Sequence, residues 1–160
     1  TSTNRTGNMI TPRLKSKLLN DFSHGFFLRK GGLSSGPFES LNCDLKSLDD
    51  KHAVLANREI VAKNMGVTAK NLFTLKQIHS SKVITIEGET NSNMIEGDGM
   101  VTAERGVSLG VLTADCAPIL FAEKKAGVIG VAHAGWRGTF DSIIENTVKK
   151  MAEIELTDFI

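Results

Sequence analysis

The chain contains few of the residues that build covalent scaffolds or crowded metal clusters. Its 160 residues include two cysteines, Cys43 and Cys116, with four histidines, one tryptophan and no tyrosine. Two cysteines are too few for a disulfide framework, and in a reducing compartment a thiol serves more readily as a ligand or a nucleophile. Four histidines also limit how many metal sites the chain can hold.

Strong charge and long apolar runs are missing as well. The formal net charge is +1 and the basic residues are spread out, so neither a nucleic-acid groove nor a membrane surface is predicted. No apolar run approaches the roughly 20 residues of a membrane span. The polar stretch 1–8 lacks the apolar centre of a secretion signal. We therefore expect one globular domain in the cytoplasm, with residues 1–20 as a poorly specified lead-in to a domain over 21–160.

Two helices are predicted. The first follows Asp49-Asp50, which can cap it, and ends at Gly66, a typical C-terminal cap. Its buried stripe has helical spacing and includes one charged residue, Arg58, which either packs its stem with the head in solvent or belongs to a site. The second helix is expected from near Thr139 to near Met151.

Three strand candidates complete the pattern. In the first, residues 73–79, every second residue is Phe, Leu, Gln or His, so these side chains share one face. The second, Val107 to Thr113, follows a glycine. The third, Gly127 to Ala132, is almost continuously apolar. Helices and strands are interspersed. The predicted fold class is therefore α/β, a mixed α+β sandwich with helices packed on a mixed sheet.

His79, Cys116 and His133 each lie at or just past the end of a strand candidate. Side chains at strand ends can converge on one crevice. Two imidazoles and a thiolate suit zinc, and three protein ligands leave a fourth position for water or substrate, as in catalytic sites. On residue types alone, two core histidines and a small buried cysteine remain the alternative.

The strings around these three residues resemble a known family. Ala114-Asp115-Cys116, and the His-Ala-Gly-Trp-Arg-Gly string that begins at His133, resemble the laccase-domain family, also called polyphenol oxidase-like or purine nucleoside phosphorylase-like. The resemblance extends over nearly the whole chain from about Asp21. Further matching segments are residues 24–29, 31–32, 40–42, 57–58, 77–79 and 96–102.

The resemblance implies a fold, a cofactor and an activity. Family members form a mixed α/β sandwich and bind zinc through residues that match His79, Cys116 and His133. They phosphorolyse purine nucleosides, including adenosine, inosine and the methylthio derivative, and deaminate adenosine. The implied partners are thus a purine nucleoside and phosphate, with Arg29 and Asn42 as substrate-binding residues. Some bacterial members are linked to editing of peptidoglycan precursors.

The chain departs from the family pattern in three places. Cys43 and Asp44 follow Leu41-Asn42, where an aliphatic and then a small residue are common. Ser80 replaces a common glycine after the metal histidine. Family members also continue well past the helix that ends near Met151, so we expect the domain to be truncated at its carboxy terminus.

Several further residues receive predicted roles, each with a structural alternative. Asp98 and Cys116 are the predicted catalytic residues, Asp98 as a proton carrier toward the purine unless it is a turn aspartate. Arg137, before the second helix, is predicted to hold phosphate or a ribose hydroxyl unless it covers Trp136. Asp115 can orient a histidine. Arg58 and Gln77 complete the predicted substrate-binding residues, Gln77 because it shares a face with His79.

Three rival functions stay open. In a metal-independent cysteine hydrolase, Cys116 would be the nucleophile and His133 the base. A multicopper oxidase is disfavoured because four scattered histidines cannot build its clustered copper centres. A zinc-binding domain without turnover is the third. The sequence does not indicate an oligomeric state.

Overall fold

The computed structural model describes residues 11–88, 90–135 and 140–157, with the side chains of 140, 141 and 157 excepted. The chain divides into two compact units, Thr1–Leu72 and Phe73–Ile160. We refer to them as the first and second units. Within the described residues, neither helix combines the length and the apolar character that crossing a membrane requires.

The first unit contains one small sheet and one long helix. Strands β1 (Arg13–Leu14) and β2 (Phe26–Phe27) pair antiparallel. Helix α1 (Lys51–Met65) starts and stops where the sequence predicts. The Asp50 carboxylate caps the first turn by accepting from the His52 N–H, and Gly66 ends the helix at φ 81°, a conformation that glycine adopts without strain.

The second unit is built on a four-stranded sheet in the order β4-β5-β8-β7. These strands are β4 (Val83–Thr85), β5 (Gly99–Thr102), β7 (Ala117–Glu123) and β8 (Val128–Ala134). The pair β4–β5 is parallel, whereas β5–β8 and β7–β8 are antiparallel. A separate two-stranded sheet joins β3 (Leu72–Phe73) to β6 (Ser108–Leu109), and helix α2 spans Phe140–Thr157.

Both faces of the four-stranded sheet are buried, which explains the almost continuous apolar run of β8. On one face Met100 and Val131 pack with Phe73 and residues near it. The other face packs against α2, and two strands carry glycine where the helix crosses. A Cβ at Gly99 would lie 3.1 Å from Thr147 Oγ1. The predicted mixed α/β class, with a helix on a mixed sheet, is confirmed.

The strand predictions are correct only in part. The third candidate is confirmed as β8, which continues to Ala134 and so includes His133. The first candidate is wrong beyond Phe73, because the chain leaves the extended conformation and His79 adopts φ 59°. The second shrinks to Ser108–Leu109. Strands β4, β5 and β7 were not predicted.

Candidate metal centre

Sheet register brings the three predicted ligands to one edge of the second unit. Gly99 pairs with Ala132, and Ala117 pairs with Ala134, so Cys116, just before β7, lies beside His133 in β8. The parallel partner β4 starts at the same edge, a few residues after His79. Only His133 sits at the carboxyl end of a strand, whereas the other two ligands precede their strands. The antiparallel pairs of β8 bring the starts of β5 and β7 to its carboxyl end, and the parallel pair β4–β5 adds the start of β4.

The ligand atoms are close enough for one ion. One atom each from His79, Cys116 and His133 lies within 4.8 Å of the others. The Cys116 Sγ is 3.8 Å from His79 Nε2, and the imidazoles meet edge to face with centroids 4.8 Å apart. Tetrahedral zinc with normal bond lengths places sulfur and nitrogen ligands about 3.5 Å apart. The three residues can therefore hold a metal ion after small side-chain movements.

The three candidate ligands differ in how deeply their side chains are buried. His133 is 5% exposed, Cys116 is half-buried and His79 is exposed. The cluster thus has one side set in the protein interior and one side facing solvent. A structural metal site is usually closed by four protein ligands, whereas among the described residues this cluster offers three.

Asp98 lies behind His133 and fixes its ring. The His133 Nδ1 is 2.8 Å from Asp98 Oδ1, and the His133 backbone N–H donates to the Asp98 carbonyl oxygen at 2.7 Å. A carboxylate only accepts, so the proton between them belongs to Nδ1, which leaves the Nε2 lone pair available for a metal. This is the usual outer support of a metal-binding histidine.

The same carboxylate holds the loop that carries His79. Oδ2 accepts from the backbone N–H groups of Ile78 and Ser80 at 3.2 and 2.7 Å and from the Ser80 hydroxyl at 2.8 Å, while Oδ1 accepts from the His79 N–H at 3.0 Å. Three successive N–H groups aimed at one anion form a backbone nest. Asp98 is fully buried, so these contacts replace its water.

The Asp98 carboxyl is ionised at neutral pH. Burial opposes its ionisation, but hydrogen bonds from the Ser80 N–H, the His133 ring, the Ser80 hydroxyl and the Ile78 N–H outweigh burial and lower its pKa below the usual value. Its predicted role as a proton carrier stays a prediction. The contacts themselves describe a group that holds its neighbours in place.

Gln77 clamps the segment that leads to Cys116. Its Nε2 donates to the Leu112 carbonyl oxygen, and its Oε1 accepts from the Leu112 N–H, both at 2.7 Å. The side-chain amide therefore pairs with a backbone amide in the manner of a neighbouring strand. The predicted substrate-binding role of Gln77 is untested, and the contacts give it a structural one.

Three of the other predicted substrate-binding residues lie in the first unit. Arg29 donates to the Glu39 carbonyl oxygen at 3.2 and 2.8 Å. Asn42 donates to Ser47 Oγ and Asp49 Oδ2, and Arg58, 7% exposed, donates to the Cys43 carbonyl oxygen. Their substrate-binding roles remain predictions. Arg137 lies outside the described residues.

Sequence reasoning missed the part played by Ser80 and gave the orienting role to the wrong carboxylate. Asp115, the suggested partner of a metal histidine, is exposed, and the carboxylate bonded to His133 is Asp98. Ser80 was noted only as a departure from the family, yet it gives Asp98 two hydrogen bonds. The sequence feature that could have indicated this role is a hydroxyl residue directly after a metal-binding histidine, where it can donate to a nearby carboxylate.

A family model matches most of the chain. The model described as "Multi-copper polyphenol oxidoreductase laccase" matches residues 23–158. A purine nucleoside phosphorylase of Deinococcus radiodurans is 43% identical over 131 residues, which is 82% of this chain and 50% of that protein. A purine nucleoside phosphorylase of Streptomyces coelicolor is 39% identical over 137 residues, 85% of this chain and 57% of that protein. The chain thus spans about half the length of these curated relatives.

Solved structures share the fold. The crystal structure of YlmD from Geobacillus stearothermophilus matches with a TM-score of 0.66 and 35% identity, over 71% of this chain and 45% of that one. The Neisseria meningitidis protein NMB0706 matches with a TM-score of 0.69 and 34% identity, over 79% of this chain and 51% of that one. These matches agree with the mixed α/β fold.

Proposed function

The chain belongs to the family described as multi-copper polyphenol oxidoreductase laccases, and we propose that it carries the zinc centre of a purine nucleoside phosphorylase. Relatives with that activity in their names, at 43% and 39% identity, support the enzyme class. Because the chain spans about half of their length, the activity of the whole protein is part of the proposal.

The observation that carries the proposal is the cluster of His79, Cys116 and His133. A thiolate with two imidazoles is a donor set that zinc prefers, and it occurs in catalytic zinc enzymes with a fourth position open. Multicopper chemistry needs several clustered histidines, and among the described residues this group holds two. The donor set therefore favours zinc over the copper of the family description.

Each ligand has a distinct task in this proposal. A bound zinc ion would supply Lewis acidity toward a phosphate or purine oxygen and would lower the pKa of water. His133, buried and bonded to Asp98, provides the rigid side of the site. His79 lies on the solvent side, where a nucleoside and phosphate can approach. Cys116 contributes negative charge that keeps the cation in place.

Arg137 is proposed to bind phosphate. The support is its place in the family string just before the second helix, together with the fit of a guanidinium to a phosphate. Replacing Arg137 by Ala is expected to raise the Michaelis constant for phosphate more than that for inosine. An unchanged constant for phosphate would remove Arg137 from the proposed site.

The main test is a product analysis. Zinc-loaded protein, incubated with inosine and phosphate, is expected to release hypoxanthine and ribose 1-phosphate, in an amount that depends on phosphate. The assay includes this chain, a version extended to the length of the relatives, and the Deinococcus radiodurans relative as a positive control. The proposal fails if the extended, zinc-loaded protein forms no hypoxanthine while the control does.

Adenosine deamination is a separate part of the proposal. The same samples, supplied with adenosine in the absence of phosphate, are expected to form inosine and ammonia. In deamination an activated water would attack C6 of the purine and ammonia would leave, whereas in phosphorolysis phosphate attacks C1′ of the ribose. Phosphorolysis without any inosine formation would restrict the activity to the phosphorylase.

One geometric observation favours a second candidate, a metal-independent cysteine hydrolase. In space, the imidazole of His133 lies between the carboxylate of Asp98 and the thiol of Cys116. This is the arrangement of carboxylate, imidazole and nucleophile in a hydrolytic triad. Metal analysis and alkylation separate the two. A protein that is fully active without metal and is inactivated by alkylation of Cys116 would support the hydrolase and contradict the zinc enzyme.

A further inference from the structure

We propose that Asp98 is a positioning residue that sets both histidine ligands at once, His133 through its ring and His79 through its backbone. The inference rests on the proposed metal site and adds the residue that organises it. One carboxylate with two separate hydrogen-bonding edges joins two ligands that are 54 positions apart in the sequence.

The contact with His133 decides which ring nitrogen is free. Oδ1 accepts the Nδ1 proton at 2.8 Å, and the backbone N–H of the same residue donates to the Asp98 carbonyl oxygen. Both ends of His133 are therefore tied to one residue. These two contacts fix the orientation of the ring, and in the neutral imidazole they place the proton on Nδ1 and leave the Nε2 lone pair for a metal.

The contact with His79 acts through a strained backbone. His79 has φ 59°, a conformation that costs a non-glycine residue about 1–3 kcal/mol and persists only where the surroundings enforce it. The N–H groups of 78, 79 and 80 all donate to the Asp98 carboxylate. This nest enforces the turn that directs the His79 ring toward Cys116.

An amide of the same shape cannot replace the carboxylate. In Asp98→Asn, one of the two oxygens becomes an NH₂ group. Placed at the Oδ2 position, that group faces the N–H donors of Ile78 and Ser80 and breaks the nest. Placed at Oδ1, it can only donate to His133, which moves the ring proton to Nε2 and blocks the metal-binding lone pair. The first orientation disturbs the loop that carries His79, and the second disturbs both histidines, because Oδ1 also accepts from the His79 N–H.

The experiment measures the affinity of purified protein for Zn²⁺ and Co²⁺ by competition with a chelator. Asp98→Asn is expected to weaken both affinities by about 10–100-fold, the usual effect of losing an outer hydrogen-bond partner. Asp49→Asn is the matched control, because Asp49 also accepts several hydrogen bonds but its partners are Ser34, Asn42 and the Asp50 backbone. It is expected to lose stability and keep wild-type affinity.

Two spectroscopic readouts separate positioning from general destabilisation. The ring ¹⁵N resonances of metal-free wild-type protein are expected to show His133 with its proton on Nδ1, and this test needs no variant to fold. In Asp98→Asn the ¹⁵N resonances are expected to show His133 with its proton on Nε2. Alternatively, the absorption spectrum of the Co²⁺-loaded variant is expected to indicate fewer nitrogen ligands. The thiolate-to-cobalt band from Cys116 is expected to persist.

The possible failures are distinguishable. Wild-type protein that binds neither ion overturns the proposed zinc centre, and with it this inference. Wild-type protein that binds zinc, with Asp98→Asn binding equally tightly or with His133 protonated on Nε2 in the wild type, overturns the positioning role alone. Weakening of equal size in Asp49→Asn also overturns it, because the loss would then follow stability.

Discussion

Asp49 in the first unit and Asp98 in the second each gather hydrogen bonds from separate stretches of the chain, but they hold different partners. The Asp49 carboxylate accepts from the Ser34 hydroxyl at 2.6 Å and from the Asn42 amide at 3.0 Å. The Asp98 carboxylate accepts from one hydroxyl, three backbone N–H groups and an imidazole. Asp98 therefore holds a side chain that can bind a metal ion, whereas the side chains bonded to Asp49 are a hydroxyl and an amide.

Two side-chain amides, Asn57 in the first unit and Gln77 in the second, show the same difference in the groups that they hold. Buried Asn57 accepts from the Leu33 N–H and donates to Ser34 Oγ and to the Asn42 carbonyl oxygen, so it closes the Asp49 cluster with amides and hydroxyls. Gln77 clamps Leu112, four residues before Cys116. A well-bonded carboxylate or amide is thus no sign of chemistry by itself. The groups that it holds decide whether the cluster is structural or functional.

Removal of Asn57 is expected to have the largest effect on stability. Asn57→Ala deletes three hydrogen bonds of a buried side chain, each worth about 1 kcal/mol, so urea unfolding is expected to show a loss of about 3 kcal/mol. Glu59→Ala, at an exposed position of the same helix, is the control and is expected to change stability by less than about 0.5 kcal/mol. If the folded Asn57→Ala protein binds zinc much more weakly, the contrast between the clusters is wrong.

Gln77→Ala is the counterpart in the second unit. It removes two hydrogen bonds, so a loss of about 2 kcal/mol in unfolding free energy is expected. Because the clamp precedes Cys116, zinc affinity is expected to fall about tenfold as well. Chelator competition on folded protein measures that fall. Full affinity in Gln77→Ala would show that the clamp does not position the thiol.

Ser34 and Ser80 form a matched pair of hydroxyls, each bonded to one of the two carboxylates. Ser34→Ala and Ser80→Ala are both expected to cost about 1 kcal/mol of stability. Only Ser80→Ala is expected to weaken zinc binding, by about threefold, since four of the five hydrogen bonds to the Asp98 carboxylate remain. Equal zinc affinities in the two variants would contradict the account.

Titration of the Cys43 thiol is expected to have the smallest effect, because it lies outside the neutral pH range. Burial raises the pKa of the Cys43 thiol from 9.0 to about 11, against the opposing influence of Arg58. A folded-state pKa above the unfolded one stabilises the fold fully below pH 9.0 and loses that contribution as the pH rises through about 11. Wild-type unfolding free energy is therefore expected to fall more steeply in this alkaline range than that of Cys43→Ala. Parallel curves would refute the burial effect.

The elements with strong local signals could be predicted from sequence. Helix α1 has its carboxylate cap at Asp50 and its glycine at Gly66, and β8 is a continuous apolar run. The three ligands are identified by the family motifs around them, because from spacing alone core histidines are the more common interpretation. The residue types suggest that His79, Cys116 and His133 could bind a metal ion, but they do not show that the three side chains meet at one edge of the sheet.

The missed elements have physical reasons. Strand β7 was missed because Pro118 suggests a turn, yet β7 lies at the edge of its sheet, where a missing N–H is tolerated. The string Gly97-Asp98-Gly99 suggests a loop, but Gly99 starts β5. A Cβ at Gly99 would lie 3.1 Å from Thr147 and 3.2 Å from Ile143 of α2, so the glycine suits the close approach of the helix. The contacts of Asp98 join residues 18 to 35 positions away, and no local pattern encodes them.

Metal binding by Cys116→Ala and Cys43→Ala, beside the wild type, tests the central claim most directly. Elemental analysis is expected to find one zinc ion per wild-type chain and the same amount in Cys43→Ala. Structural zinc sites with four ligands bind with about 10–16 kcal/mol, roughly 3 kcal/mol per ligand, so Cys116→Ala is expected to weaken affinity by about 100-fold or more. A wild-type chain without zinc affinity, or a Cys116→Ala variant that binds as tightly as the wild type, would contradict it.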